Sequence, residues 1–213
     1  MGTLYLIRHG ETDSNSGKMF QGRMNTALNA KGHDQSRQMA EFMKSVKLDA
    51  IYCSPMLRAR QTAAPLAMSQ GLAYRTLDLL QEVSFGDWEG VPFTEIHKQS
   101  PEAMTTFLER PGDFTPPNGE TFAQAQERWF KALDYIISRE GHDKNIAIVS
   151  HGGIIRLQIC SFLGIPLNNL WKMAVRNVSV TTVTDWQGNY MMSTINDDHF
   201  LTGSNLRGYI SIV

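Results

Sequence analysis

Apolar residues along this chain alternate between short continuous runs and longer stretches with helical spacing. Runs with the length of a buried strand occupy residues 3–7, 50–53 and 145–149. An apolar residue recurs every three or four positions in 31–46, in 57–69, in 154–163, and in the set Phe122, Ala125, Trp129, Leu133 and Ile136. The pattern predicts strands and helices in alternation.

The last third of the chain predicts a β-hairpin over 178–195, because two extended runs flank the turn-forming residues Gln187-Gly188-Asn189. A short extended piece is expected at 77–80, and an irregular tail after Thr202. Together the elements predict an α/β fold. We expect a three-layer sandwich in which a mostly parallel central sheet is covered by helices on both faces.

Residues 85–117 interrupt the alternation. Glycine and proline recur throughout this stretch, at Gly86, Gly90, Pro92, Pro101, Pro111, Gly112, Pro116 and Pro117. We interpret it as a helical and loop insertion that lies over one end of the sheet as a substrate lid. Its aromatic side chains could line the site, although packing in the core is the favoured interpretation: Trp88, Phe93, Phe107 and Phe114. With 213 residues, the chain is expected to be a single domain over 1–213.

Charge and composition narrow the possible partners. The chain carries 20 Lys and Arg against 21 Asp and Glu, a net charge of -1, which argues against nucleic-acid and membrane-surface partners. The apolar run before Arg8 is too short for a secretory signal, and the apolar window 146–167 is interrupted by polar residues. Cys53 and Cys160 have neither metal-ligand nor redox-motif spacing, so two reduced, buried thiols and a cytoplasmic location are expected.

Polar residues follow three of the predicted strands directly. The first strand runs into Arg8-His9-Gly10, the strand at 145–149 runs into Ser150-His151-Gly152-Gly153, and the strand at 50–53 leads to Arg58 at a helix start. Ligands of open α/β sheets bind beyond the carboxyl ends of strands. Arginine matches phosphate oxygens and stays charged, and the glycines let backbone N–H groups approach an anion. These residues predict a phosphate pocket.

His9 has the properties of a nucleophile in this setting. Neighbouring positive charge disfavours imidazolium, so His9 is expected to be neutral, with a nitrogen lone pair able to attack phosphorus. A single strand-end histidine is more often a hydrogen-bonded core residue. Two of them, each followed by glycine and accompanied by two arginines, favour the catalytic interpretation.

At this point the chain resembles the histidine phosphatases, also called the phosphoglycerate mutase-like superfamily, and in particular their phosphatase branch. Four motifs carry the resemblance in the family's order: Leu6-Ile7-Arg8-His9-Gly10-Glu11-Thr12, Ser54-Pro55-Met56-Leu57-Arg58-Ala59-Arg60-Gln61-Thr62-Ala63, Glu82-Val83-Ser84-Phe85-Gly86-Asp87-Trp88-Glu89-Gly90, and Ser150-His151-Gly152-Gly153. Arg-His-Gly alone would be a weak signal, whereas the four together are specific.

The resemblance implies a role for each matching residue. His9 would carry a phosphohistidine intermediate, while Arg8, Arg58 and His151 grip the transferring phosphoryl group and Gly152 contributes to binding it. Glu82 would protonate the leaving alkoxide and then activate water. The competing carboxylates Glu11, Glu89 and Glu120 are interpreted as capping groups or solvated surface, and Arg60 as a rim residue.

The family places Asn15, Gln21 and Gly22 on the phosphate or substrate side. An acidic residue and a Pro-Leu pair usually follow that loop, but this chain has Asn25 and Ala27-Leu28. Any binding role of this loop is therefore less well supported than the roles of the four motifs.

The expected function is metal-independent hydrolysis of a small phosphate ester. No histidine pair with metal-ligand spacing and no nucleotide-binding glycine loop occurs, so no metal and no cofactor are expected. The alternatives are a cofactor-dependent phosphoglycerate mutase, α-ribazole phosphatase as the specific role, and a non-catalytic module that binds a phosphorylated ligand. The mutase is disfavoured because no basic stretch follows Glu82. The edge of the 178–195 hairpin could support a homodimer.

Overall fold

A computed structural model describes residues 1–203, and six strands form one sheet within them. The strands are β1 (Gly2–Arg8), β2 (Ala50–Cys53), β3 (Tyr74–Thr76), β4 (Asn145–Ser150), β5 (Val180–Trp186) and β6 (Asn189–Asp197). The α-helices are α1 (Asp13–Ser16), α2 (Ala30–Phe42), α3 (Leu57–Gln70), α4 (Phe93–Gln99), α5 (Pro101–Glu109), α6 (Phe122–Glu140) and α7 (Gly152–Leu163). From residue 204 onward, the expected irregular tail lies outside the described residues.

The strand order is β3-β2-β4-β1-β5-β6. Strands β3, β2, β4 and β1 pair in parallel, and the hairpin β5–β6 adds two antiparallel strands beside β1. The expectation of a mostly parallel sheet is confirmed. Parallel strands are joined by crossover helices, and these helices pack on the faces of the sheet. Both faces of this part of the sheet are therefore covered.

The central strands are apolar on both faces because each face has its own core. Alternate residues of β4 divide between the cores: Ile146 and Ile148 pack in one cluster, Ala147 and Val149 in the other. Helices α6 and α7 close the first cluster, and α2 and α3 close the second. The predicted three-layer α/β sandwich is therefore confirmed.

The expected extended piece at 77–80 is wrong. The strand is Tyr74–Thr76, and Asp78–Leu80 forms a 3-10 turn in which the Leu80 N–H donates to the Leu77 carbonyl. The apolar run signals burial of Leu80 and not a strand, whereas β3 is a polar edge strand. This turn directs the chain toward Glu82.

The insertion at 85–117 is anchored in the core. It holds α4 and α5, of 7 and 9 residues, between short 3-10 turns. Its aromatic residues join residues from outside it in an aromatic cluster of Phe20, Phe85, Trp88, Phe107, Phe114 and Phe122. Phe107 is fully buried at its centre, so packing in the core, the favoured interpretation, is confirmed for Trp88, Phe107 and Phe114. The half-buried Phe93 packs edge-on against Phe20, with ring centroids 4.2 Å apart.

None of the helices within residues 1–203 has the length and apolar character that a bilayer crossing requires.

Candidate active site

The sheet brings the two strand-end histidines together. Strands β1 and β4 are parallel neighbours with Arg8 opposite Ser150, so His9 and His151 leave the sheet side by side. Their ring centroids lie 5.2 Å apart. The next strand, β2, leads into α3, whose first turn carries the fully buried Arg58. Residues far apart in sequence therefore meet at one sheet edge.

His9 is held as a neutral imidazole with a defined tautomer. Its Nδ1 lies 2.7 Å from the carbonyl oxygen of Gly10. Since a carbonyl only accepts hydrogen bonds, Nδ1 carries the proton and Nε2 keeps its lone pair. Burial, followed by the charges of Arg58 and Arg8, holds the pKa of His9 well below the usual 6.5. The expected neutral state agrees with this shift, but burial is a larger cause than the arginine charge.

The two arginines are fixed by backbone carbonyls. Arg8 Nη1 donates to the Val175 carbonyl at 2.7 Å, and Arg58 donates from Nη1 to Met24 and from Nη2 to Gly22, both at 2.7 Å. Burial lowers the pKa of Arg8 and of Arg58 to about 10, so both guanidinium groups remain charged at neutral pH. The buried Nε atoms of both have no hydrogen-bond partner among the described residues.

Gly152 gives Arg8 room beside α7. A Cβ at position 152 would lie 3.2 Å from the Arg8 Nε and 3.3 Å from its Cζ. The first turn of α7 also provides backbone N–H groups and the positive end of the helix dipole. The arrangement concentrates positive charge and hydrogen-bond donors around His9.

His151 precedes α7 and is also neutral. Its Nε2 lies 2.8 Å from Ser54 Oγ, and its buried Nδ1 has no partner within residues 1–203. Burial, and then the charge of Arg58, keeps the pKa of His151 well below 6.5. The contact with Ser54 was not predicted from the sequence, although Ser54 lies in the second motif.

The Glu82 side chain is bound at the N-terminus of α7. Its carboxylate accepts hydrogen bonds from the backbone N–H groups of Gly153 at 3.1 Å and Ile154 at 3.2 Å. A third comes from Val83 at 2.9 Å. Its negative charge is close enough to interact with Arg8 and Arg58. The start of α7, which follows His151, therefore fixes the Glu82 carboxylate near the two arginines.

Residues of the segment after β1 make hydrogen bonds to other residues around the site. Asn15 caps α1 together with Thr12, and its Oδ1 also accepts from Asn177 Nδ2 at 3.2 Å. Gln21 Nε2 donates to the hydroxyls of Thr12 and Thr26. Gly22 acts through its carbonyl, which orients Arg58. The structure thus places all three near the site and gives each a partner within the protein.

Two residues at the site were missed by sequence reasoning. Asn177 donates to the His9 carbonyl at 2.9 Å, and no motif marks it. Arg156 is buried on α7, where burial lowers its pKa to about 9, and its Nη1 lies 3.2 Å from the position of a Gly152 Cβ. The available signal for Arg156 was that it is the one charged residue of a mostly apolar helix.

The competing carboxylates Glu11, Glu89 and Glu120 each have partners other than the two histidines. Glu11 forms a partly exposed ion pair with Lys31 at 3.1 Å, as expected for surface. Glu89 caps backbone N–H groups of Arg23 and Phe85, each at 3.0 Å. The interpretation fails for Glu120, whose side chain is only 14% exposed and is paired with Arg128 at 2.8 Å.

Arg60 is exposed, as expected for a rim residue two positions from Arg58. No group of three or more histidine, cysteine or acidic side chains that could hold a metal ion occurs among residues 1–203. The candidate chemistry is that of two neutral histidines, three buried arginines and one carboxylate.

Comparison with known proteins identifies the family. A model of the histidine phosphatase superfamily (branch 1) matches residues 4–198. The chain is 33% identical over 184 residues to putative phosphoserine phosphatase 2 of Hydrogenobacter thermophilus, covering 86% of this chain and 89% of that protein. It is 31% identical to the adenosylcobalamin/alpha-ribazole phosphatase of Escherichia coli, covering 81% and 84% of the two chains.

A solved structure agrees with both matches. Bacillus stearothermophilus YhfR superposes with a TM-score of 0.88 and 31% sequence identity, over 92% of this chain and 98% of that one. The predicted resemblance is confirmed by the sequence and the fold together: the chain belongs to the histidine phosphatase superfamily.

Proposed function

We propose that this protein hydrolyses phosphate monoesters of small metabolites through a phosphohistidine formed on His9. One observation carries the proposal: His9 Nε2 is an unprotonated nitrogen, and the arginines whose charges act on His9, Arg8 and Arg58, each have a buried Nε without a partner within residues 1–203. A neutral nucleophile beside fixed cationic donors is what transfer of a phosphoryl dianion requires.

In the first step, the lone pair on His9 Nε2 attacks phosphorus and the P–O bond to the leaving group breaks. Arg8, Arg58 and His151 hold the three non-bridging oxygens, and the Gly152 end of α7 adds its positive dipole. Glu82 gives its proton to the departing alkoxide, so an alcohol leaves and phosphoryl-His9 remains.

In the second step, water attacks the phosphoryl-His9. Glu82, now a carboxylate, takes a proton from the water while the P–N bond breaks. Inorganic phosphate leaves, His9 Nε2 regains its lone pair, and Glu82 holds the proton that it took from the water. The same carboxyl group acts as acid and then as base because both events occur on the same face of phosphorus.

The test is hydrolysis of p-nitrophenyl phosphate in the presence of EDTA. We expect turnover by the wild type and a loss of at least about 10³-fold in His9→Ala. His33→Ala is the matched control, since His33 is exposed and lies outside the site. Activity undiminished by His9→Ala would contradict the proposal, and binding of phosphate esters without turnover would favour a non-catalytic binding module.

Trapping tests the intermediate directly. Brief incubation with a ³²P-labelled ester, followed by quenching, is expected to leave label that is stable to base and released by acid. Label that has the opposite stability would indicate an acyl phosphate and exclude His9 as the nucleophile.

The specific substrate is a separate proposal. The identity to the Escherichia coli enzyme favours α-ribazole phosphate as one candidate. A panel of α-ribazole phosphate, phosphoserine and sugar phosphates, ranked by kcat/KM, tests it. Adding 3-phosphoglycerate with and without 2,3-bisphosphoglycerate tests the mutase alternative, which efficient isomerisation would favour over hydrolysis.

We infer that residues 1–213 form one domain. We also infer that residues 85–117 form the side of the site that faces the leaving group. Two observations support this role for the insertion. Glu82 directly precedes it, and Glu89 connects it to the loop that orients Arg58. Since the aromatic cluster anchors the insertion, we favour a fixed wall over a freely opening lid. Phe93→Ala, at its half-buried aromatic, should change the ranking of substrates more than the rate with p-nitrophenyl phosphate.

A homodimer is proposed through β6, the outer strand of the sheet. The support is the exposed apolar side chains of the β5–β6 hairpin, with Trp186 60% and Met191 59% exposed. Light scattering coupled to size exclusion is expected to give twice the mass of the chain, and Met191→Lys should halve it.

A cytoplasmic location is likewise proposed. Cys53 and Cys160 are free and buried, and burial raises the pKa of their thiols to about 12 and about 11. Unpaired thiols are compatible with a reducing compartment. Cell fractionation tests this location.

A further inference from the structure

The segment that carries Glu82 has no regular secondary structure of its own. Residues 81–85 lie between the 3-10 turns Asp78–Leu80 and Gly86–Trp88. A general acid must reach its proton acceptor within hydrogen-bond distance, and a displacement of about 1 Å can cost about 10²-fold in rate. Contacts from elsewhere must therefore hold this segment in place.

Arg128, on α6, supplies several of those contacts. Its Nη1 donates to the carbonyls of Leu79 at 2.6 Å and Gln81 at 2.9 Å, and its Nη2 donates to the carbonyl of Glu82 at 3.3 Å. One guanidinium group thus connects a long helix to three carbonyls of the segment that ends at Glu82.

Glu120 orients that guanidinium and contacts the chain after Glu82. Its two oxygens accept from Arg128 Nε and Nη2, both at 2.8 Å. Its Oε2 also accepts from the Ser84 N–H at 3.4 Å, while the Glu120 N–H donates to the Ser84 carbonyl at 2.9 Å. The backbone on both sides of Glu82 is therefore connected to the Arg128–Glu120 pair.

A third group completes the arrangement. Arg23 Nε donates to the Glu82 carbonyl at 3.2 Å, and its Nη2 donates to Glu120 Oε2 at 3.1 Å. Burial alone would raise the pKa of Glu120, but the hydrogen bonds and charge of Arg128, with Arg23, bring it below its usual value. With Arg128 15% exposed and Glu120 14%, the pair is far more enclosed than a surface ion pair.

We propose that the Arg128–Glu120 pair is a positioning device for Glu82, holding its backbone so that the carboxyl group meets the leaving oxygen. The inference rests on the proposed role of Glu82 as general acid. The Arg128 guanidinium donates to protein acceptors from Nε, Nη1 and Nη2, and both Glu120 oxygens accept from it, so we assign neither residue a contact with the phosphoryl group. Arginine is required because only its planar fork can serve three carbonyls and a carboxylate at once, which lysine cannot.

The test uses the dependence of rate on the leaving group. p-Nitrophenolate departs without a proton, whereas the alkoxide of β-glycerophosphate needs one. Arg128→Lys should therefore lower kcat/KM, which reports the transfer to His9, about 10-fold to 100-fold more for β-glycerophosphate than for p-nitrophenyl phosphate. Glu120→Gln is expected to give the same selective loss with a smaller magnitude.

A double-mutant cycle separates positioning from general destabilisation. In a Glu82→Gln background the acid is already absent, so adding Arg128→Lys should cause little further loss with β-glycerophosphate. Arg75→Lys is the control, since Arg75 pairs with Glu140 at 2.6 Å at the other end of α6. It should leave the ratio of the two substrates unchanged, and thermal unfolding of every variant checks folding.

Three outcomes would overturn the inference. Equal losses for both substrates in Arg128→Lys would show a merely structural role, with the proposed function intact if Glu82→Gln is selective. If Arg128→Lys lowers kcat/KM for β-glycerophosphate equally in the wild-type and the Glu82→Gln backgrounds, the pair does not act through Glu82. A Glu82→Gln variant without any selective loss would refute the general acid itself and the positioning device with it.

Discussion

The smallest unit that explains the site is a single hydrogen bond, from His9 Nδ1 to the carbonyl of its own neighbour Gly10. It selects the tautomer that leaves Nε2 free, and burial together with Arg58 and Arg8 keeps the ring neutral. Nucleophilicity therefore comes from a backbone contact and an environment, and not from a catalytic base acting on His9.

Both histidines are expected to stay neutral through the range in which a free histidine titrates. Long-range ¹⁵N–¹H spectra of histidine-labelled protein between pH 8 and pH 5 measure this, with His9→Gln and His151→Gln used to assign the signals. We expect His9 Nε2 to remain unprotonated at pH 6.5, because its pKa is lowered. Half-protonation of His9 near the model-peptide value of about 6.5 would contradict the expected environment.

Arg58→Lys tests whether the fork of arginine is needed. The carbonyls of Met24 and Gly22 each take one N–H of Arg58, from Nη1 and Nη2, and its buried Nε has no partner among residues 1–203 and is available to the phosphoryl group. A lysine has one nitrogen, so we expect kcat/KM for p-nitrophenyl phosphate to fall by about 10² or more. Arg60→Lys, at an exposed position of the same helix, should be neutral. An equal loss of kcat/KM in Arg58→Lys and Arg60→Lys would indicate that the substitutions disrupt α3 and do not act at the site.

At the scale of elements, the N-terminus of α7 organises the site. It follows His151 and places Gly152 against Arg8, and the N–H groups of Gly153 and Ile154 donate to the Glu82 carboxylate. A helix end thus sets the distance between a carboxylate and a histidine that come from different parts of the chain.

Gly153→Ala should disturb that distance selectively. A Cβ at this position would lie 2.7 Å from Glu82 Oε1, so the carboxyl group must move. Alanine favours a helix over glycine by about 1 kcal/mol, and this gain offsets part of the loss in folding stability that the displaced carboxyl group causes. We expect β-glycerophosphate hydrolysis to fall at least about 10-fold more than p-nitrophenyl phosphate hydrolysis, with little change in Tm. A parallel loss for both substrates would argue against displacement of Glu82.

At the scale of the whole molecule, burial of two neutral histidines lowers the free energy of unfolding in acid. The pKa values of His9 and His151 are lowered in the folded state, so below about pH 6.5 the unfolded chain binds more protons than the folded one. Their contribution is complete above that pH and is lost as the pH falls toward the folded-state pKa values.

Urea unfolding at pH 7.5 and pH 5.5 measures the effect. Each histidine contributes up to about 1.4 kcal/mol per pH unit, so the pair is expected to lower the free energy of unfolding by about 3 kcal/mol at pH 5.5. His9→Gln should remove about half of this difference. An unchanged pH dependence in His9→Gln would show that His9 is not buried as a neutral group.

Much of this architecture follows from local pattern. The runs at β1, β2 and β4 predicted buried strands, since apolar residues on both faces of a strand require cover on both sides. The strand-end residues Arg8, His9, Arg58 and His151 followed from the rule that parallel strands end at a common edge. The run at 77–80 misled because apolar content reports burial and not backbone conformation.

The sequence by itself determined the order of strands and helices, the residue types at the strand ends, and the four motifs that indicate the family. Each of these is a property of neighbours along the chain. The tertiary structure decided that Glu120 pairs with Arg128, that Asn177 holds the His9 carbonyl, and that Arg156 lies behind Gly152. Those contacts join residues from separate elements, and the packing of α6 and α7 on the sheet decides which distant side chains meet.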